Sequence, residues 1–288
     1  MSALAGGLLT LAGLVVAGLA LRDVFRTLWY PTGTGTLSVV VARLVWRAGK
    51  HLGRGAHDLA GPVILVAVVV TWAALVVLGA AFVYWPRLVE DGFSYGTGLD
   101  PDARSSFVDA LYVSAVVLGT LGLGDIVPVD GWLRILVALQ GLIGFSLLTA
   151  AVSWVLQVQS ALARRRSAAR FVHALRRADA GDDVPSRTVL ERLTADVATV
   201  HADLDQTSMT YWFRDEDHDG ALATALPHAA ELARRGTGGD DPDVRAAARG
   251  LDAALDDLAA LLDRQFLHVG GDRGTVLHRY VEDQRHER

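Results

Sequence analysis

Three apolar runs decide what this chain can become. They cover about Ala3 to Leu21, Pro62 to Trp85 and Trp132 to Val158, the first extending toward Tyr30. A bilayer core of ~30 Å takes ~20 apolar residues of helix, so each run predicts a membrane span. Trp29, Tyr30, Tyr84, Trp85 and Trp132 stand at the run ends, where amphipathic rings prefer the headgroup level. Composition agrees with a chain that is part membrane and part soluble. It is 51% hydrophobic with a mean hydropathy of +0.31, too apolar for an ordinary soluble domain and too polar for a protein of many spans. The change falls near Ser160, where charges begin to crowd in.

Basic residues set the orientation. Arg22, Arg26, Arg43, Arg47, Lys50 and Arg54 lie between the first two runs, against Asp23 and Asp58. Arg164, Arg165, Arg166 and Arg170 follow the third. Both flanks read as cytoplasmic. Pro86 to Gly131 carries Glu90, Asp91, Asp100, Asp102, Asp109, Asp125 and Asp130 against Arg87 and Arg104, and reads as external. The N-terminus is then outside and the C-terminus inside, in a multi-pass plasma-membrane protein. Positive charge follows the first run rather than preceding it, which favours an uncleaved anchor over a signal peptide. Leu37, Val40, Val41, Leu44, Val45 and Leu52 repeat at helical spacing, with Arg43, Arg47, Lys50 and Arg54 as a basic face. Two readings of that helix stand: it lies in the membrane interface, or it packs against the soluble part.

Between the second and third runs stands Thr120-Leu121-Gly122-Leu123-Gly124-Asp125. Thr and Gly carbonyls can replace the water shell of a dehydrated cation, and glycine takes the backbone conformations that aim successive carbonyls at one axis. A helix is predicted just before, from about Ser105 to Leu118, capped by Ser105 or Ser106, with Phe107, Leu111, Ser114 and Leu118 on one face. The negative end of its dipole points at the hexapeptide and favours a cation there.

The segment from about Gly61 to Gln159 resembles the pore module of potassium channels with one pore loop per chain: outer helix, pore helix, filter, inner helix. Their usual filter is Thr-Val-Gly-Tyr-Gly-Asp; this chain has Leu121 for Val and Leu123 for Tyr. Leu123 removes the ring and hydroxyl that brace the filter from behind. The resemblance implies that Thr120, Leu121, Gly122 and Leu123 hold ions through carbonyls, with the Thr120 hydroxyl added. It implies that Gly124 turns the chain outward and that Asp125 stands at the outer mouth. It places a gating hinge near Gly141 and Gly144 of the third run; close helix packing accounts for either glycine equally well. One filter per chain implies a homotetramer. No span repeats Arg every third residue, so no voltage sensor is expected.

Past Ser160 the pattern is helical. Ala161 to Ala178 continues the third run, and Gly181 to Ser186 breaks it. Thr188 with Glu191 forms a capping box for a helix reaching about Phe213. Helices follow from Leu222 to Arg235, from Asp241-Pro242 toward His268, and from Thr275. No phosphate-binding Gly-rich loop or barrel-like run of strands is present. Asp215, Asp217, Asp219 and Gly220 match the first half of a calcium loop, but the twelfth position is Leu226 instead of Glu. Calcium and a plain solvated loop are the two readings. Cysteine is absent, which excludes disulfides and thiol chemistry.

The expectation is an all-α membrane protein: an N-terminal span (1–30), a loop with a basic amphipathic helix (31–61), a pore module (62–159) and a helical cytoplasmic domain (160–288). The expected function is passive potassium conduction by four chains in a bacterial membrane. K+ is the permeant ion, and neither a cofactor nor a nucleic-acid partner is expected. A weakly selective cation pore and a non-conducting sensor or scaffold are the alternatives. No constellation of nucleophile, base and metal points to an enzyme.

Overall fold

The computed structural model describes residues 2–30, 35–52, 59–96, 105–178, 184–215 and 220–284. The chain divides into two compact units: Met1–Leu44 with Ile64–Val155, and Val45–Val63 with Leu156–Arg288.

In the first unit, α1 (Ala3–Trp29) and α3 (Ala60–Val89) are apolar almost all round, as a helix among lipid tails must be. With α5 (Gly131–Ala178) they are, among the described residues, the three helices long and apolar enough to cross a membrane. The short apolar helix α4 (Phe107–Leu118) lies between α3 and α5 in sequence. α1 packs on α3 through glycine. A Cβ at Gly13 would lie 2.3 Å from the Gly79 carbonyl oxygen, and one at Gly79 would lie 2.6 Å from that of Gly13. Such backbone approach is how helices gain dispersion energy where no hydrophobic effect drives them together.

An acidic side chain of α1 holds the start of α2 (Thr36–Leu52). Asp23 is only 5% exposed. Its carboxylate accepts from the Leu37 and Ser38 amides at 2.9 and 3.1 Å, capping α2, and from the Ser38 hydroxyl at 2.7 Å. Trp72 Nε1 of α3 donates to the same carboxylate at 2.9 Å. The Trp72 ring packs on that of Trp154 in α5, with centroids 5.5 Å apart.

α3 runs past Pro86, where the sequence pattern would end the span. The helix closes instead at the Arg87 carbonyl, which accepts from Gly92 N–H at 2.7 Å. Two short strands depart from an all-α fold: β1 (Phe93–Tyr95) pairs antiparallel with β2 (Ile126–Pro128), Ser94 facing Val127. Tyr84, Leu88, Phe93, Ala110, Val113, Ile126 and Leu133 form the core beneath them.

α5 is one unbroken helix of 48 residues. At 1.5 Å per residue that is ~72 Å, more than twice a bilayer core. It therefore crosses the proposed boundary at residue 160 without a break.

In the second unit, Leu190, Leu193, Val197, Val200 and Leu204 of α6 (Arg187–Gln206) pack with Leu251, Leu255, Leu258 and Leu262 of α8 (Pro242–Leu262). α7 (Leu222–Thr237) and α9 (Arg273–Gln284) complete this core. Ser186, rather than Thr188, caps α6 by accepting from the Val189 amide, and Glu191 is engaged by Arg187 Nε at 2.7 Å. α6 stops at Gln206, short of the expected Phe213, and a 3-10 turn follows over Ser208–Trp212. That turn brings Tyr211 flat against Phe266, with ring centroids 4.1 Å apart. Asp241 caps α8 with Pro242 in its first turn, as its sequence predicts. The end of α2 packs here, Trp46 lying edge-on to Trp212 at 5.3 Å and under Arg214. This end of α2 packs within the second unit, while Arg43 and Arg47 are exposed.

Candidate functional site

The hexapeptide follows α4 directly. Ser106 caps α4, and Asp109 reaches back to the Ser106 amide at 3.1 Å. Asp109 is thus a buried cap of α4 rather than one more exposed loop charge. The last turn closes with Thr120 N–H on the Val117 carbonyl and Leu121 N–H on that of Val116.

From there the backbone alternates. Thr120, Gly122 and Gly124 have φ of +54, +54 and +76°, while Leu121 and Leu123 do not enter the positive region. When φ alternates in sign, successive peptide planes can present their carbonyls to one side, which a strand cannot do. A β-branched threonine at positive φ is a true outlier, and such strain of ~1–3 kcal/mol collects at functional sites. A Cβ at Gly122 would meet nothing within 4 Å, so its glycine is required by φ alone. Residues 119–124 are all exposed in the single chain, and the Leu121 and Leu123 side chains are bare.

At the C-terminal end of the hexapeptide Tyr112 donates to Asp125 Oδ2 at 2.6 Å, tying α4 to its last residue. Gly96 N–H donates to the Asp125 carbonyl at 2.7 Å, and β2 follows at once. Burial, with Asp109 and Asp91 nearby, pushes the Tyr95 hydroxyl up.

Behind α4 lies a closed polar network. Tyr84 of α3 donates to Gln140 Oε1 at 2.5 Å, and Gln140 Nε2 donates to the Ser114 carbonyl and hydroxyl at 3.1 and 2.7 Å. Ser114 in turn donates to the Val77 carbonyl at 2.8 Å. Beside it, a Cβ at Gly144 would lie 2.0 Å from the Leu118 carbonyl oxygen, whereas one at Gly141 would keep 3.8 Å from that of Val117. Gly144 is where α5 meets the end of α4.

Asp215 is elsewhere, in the second unit. Arg165 and Arg166 hold its two oxygens at 2.8 and 2.6 Å. Two guanidinium charges at that distance oppose a cation on the same carboxylate. Asp217 and Asp219 lie outside the described residues, among which no group of three or more His, Asp or Glu side chains could hold a metal. Also in this unit, Arg234 and Arg235 lower the exposed Glu231 carboxyl to about 2.

Sequence reasoning missed Asp23, Asp109, Tyr112 and Gln140. Ser106-x-x-Asp109 is a capping-box variant that could have been read. Gln140 is a lone amide in an apolar span, a signal in itself. Tyr112 and Asp23 gave none, because their partners are distant in sequence.

Residues 65–160, about a third of the chain, match the model of a family described as "Ion channel". The chain is also similar to the uncharacterized membrane protein YdjJ of Bacillus subtilis (strain 168), 27% identical over 173 residues, which are 57% of this chain and 49% of that protein. It thus spans about half the length of that relative. No solved structure matches. Residues 65–160 are thus similar to an ion channel domain, in a chain with three helices long and apolar enough to cross a membrane.

Proposed function

We infer that four copies of this chain form a potassium-conducting channel in a bacterial plasma membrane. The observation that carries this is the hexapeptide backbone: alternating left-handed φ at Thr120, Gly122 and Gly124 in an exposed, non-helical segment between membrane helices. Irregular backbone at membrane depth cannot face lipid; it must be covered by protein or line water. Four copies around one axis do both, and their carbonyls form the cage that replaces a cation's hydration shell. Leu142, Phe145, Val152 and Leu156 leave one face of α5 bare for the neighbouring copies. In this reading Gly124 turns the chain outward, Asp125 stands at the outer mouth, and the inner helix flexes near Gly141 and Gly144. The weaker alternative is a poorly selective cation pore, favoured by Leu123, which offers no polar atom to brace the cage.

Purified protein in liposomes should pass K+ and Rb+ at least tenfold faster than Na+. Gly122→Ala should abolish the flux, because an L-residue at φ +54° costs ~1–2 kcal/mol in each of four copies. Equal K+ and Na+ flux in the wild type selects the alternative, and no flux at all defeats both.

A further inference from the structure

The network around Gln140 has no role in the expectations drawn from the pore-module resemblance. It is built entirely inside the membrane unit, where a buried amide is costly unless every hydrogen bond is made. Gln140 is 4% exposed, and Tyr84 and Ser114 are fully buried. Both amide hydrogens of Gln140 are used, on two oxygens of the same serine, and its oxygen accepts from Tyr84. The Ser114 hydroxyl donates its own hydrogen bond to the Val77 carbonyl. One side chain of α5 therefore binds α4, and through Tyr84 and Val77 both helices are tied to α3.

The placement along α4 matters. Ser114 lies six residues before Thr120, one and a half turns from the hexapeptide. One turn further along each helix, Gly144 meets the Leu118 backbone. Residues 140 and 144 of α5 thus grip residues 114 and 118 of α4 in register, the first by hydrogen bonds and the second by contact. The opposite end of the hexapeptide is held by Tyr112 on Asp125. Leu123, in the middle, has no polar atom to hold anything.

We propose that Gln140 is a positioning residue for ion selection: with Tyr84 and Ser114 it fixes the height and tilt of α4, and so the spacing of the carbonyls that follow it. In this chain the brace stands behind the helix instead of behind the filter. The proposal rests on the potassium-channel reading above. It differs from plain structural glue in what its loss changes. Glue supports the amount of folded protein; a brace supports the ratio of permeabilities.

The test uses the full-length protein in liposomes, with K+/Na+ permeability ratios from reversal potentials and mass measurement in detergent. Wild type is measured first; if it carries no selective flux, the channel reading fails and this proposal falls with it, whereas a selective wild type leaves the variants to decide this proposal alone. Gln140→Met keeps length and removes every polar contact. Tyr84→Phe removes one hydrogen bond and keeps the ring. The double variant removes donor and acceptor together, which costs less folding stability than stranding either one. The expected result is a permeability ratio lowered about tenfold or more in Gln140→Met and in the double variant, and less in Tyr84→Phe, with oligomer mass unchanged. If Gln140→Met yields no oligomer, the Tyr84→Phe and double variants decide on the same ratio. Variants that conduct with the wild-type ratio, however poorly they express, overturn the proposal.

Discussion

Gly141 and Gly144 look alike in the sequence and differ in the structure. Gly144 sits where a methyl group would enter the Leu118 carbonyl, and Gly141 sits a comfortable 3.8 Å from that of Val117. Gly144→Ala must therefore push α4 away from α5, moving backbone rather than a flexible side chain. It should lower the melting temperature and the yield of folded protein sharply. Gly141→Ala should melt at or slightly above wild type, since alanine gains ~1 kcal/mol of helix propensity over glycine. Thermal unfolding in detergent, followed by circular dichroism, separates the two. Equal melting temperatures would mean that the close approach at Leu118 contributes little. The same residue-by-residue logic applies to the hexapeptide. Its composition announced glycines, and the alternation of φ adds Thr120, a residue whose backbone no propensity scale would have put there.

Among the elements, the spans and most helices of the soluble part were legible from apolar period and caps, because those signals are local. The Asp241-Pro242 start of α8 is one such case. What was illegible depended on distant partners. Asp23 counted as one more loop charge, yet it caps α2 and receives Trp72 from α3. The crossing at Gly13 and Gly79 leaves no periodic trace. Pro86 marked the end of an apolar run but not of a helix. The β1–β2 pair is too short for alternation to register. At the site, the hexapeptide and its helix were readable, while Gln140 and Tyr112 needed the packing of α3, α4 and α5 to acquire meaning. Asp23→Ala tests the element scale. It strands two amides, a hydroxyl and an indole, at ~1–3 kcal/mol for a buried polar group left without its partner. A melting temperature lower by many degrees is expected, with Trp72→Phe intermediate. A wild-type melt for Asp23→Ala would show that α2 is held by other means.

For the whole molecule the testable property is which parts face which side of the membrane. The basic flanks predict that the chain from Arg22 to Gly61 and the part after Ser160 face inside, and that the acidic stretch around β1 faces outside. The absence of cysteine allows single reporters without background. Ser2→Cys and Glu90→Cys should react with an impermeant thiol reagent on intact cells. Ala48→Cys and Thr237→Cys, both exposed positions, should react only once the membrane is opened. Ser2→Cys silent on intact cells while Glu90→Cys reacts would mean that α1 does not cross. Asp23 also places these helices in time. Its first donors, at Leu37 and Ser38, follow it by only 14 and 15 residues, but the Trp72 indole comes 49 residues later. At ~5–20 residues per second, a ribosome delivers that last donor ~2–10 s after the carboxylate. The corner between α1 and α2 is therefore drafted early and sealed late. The hydrogen bonding of Asp23 is complete only once α3 has been made.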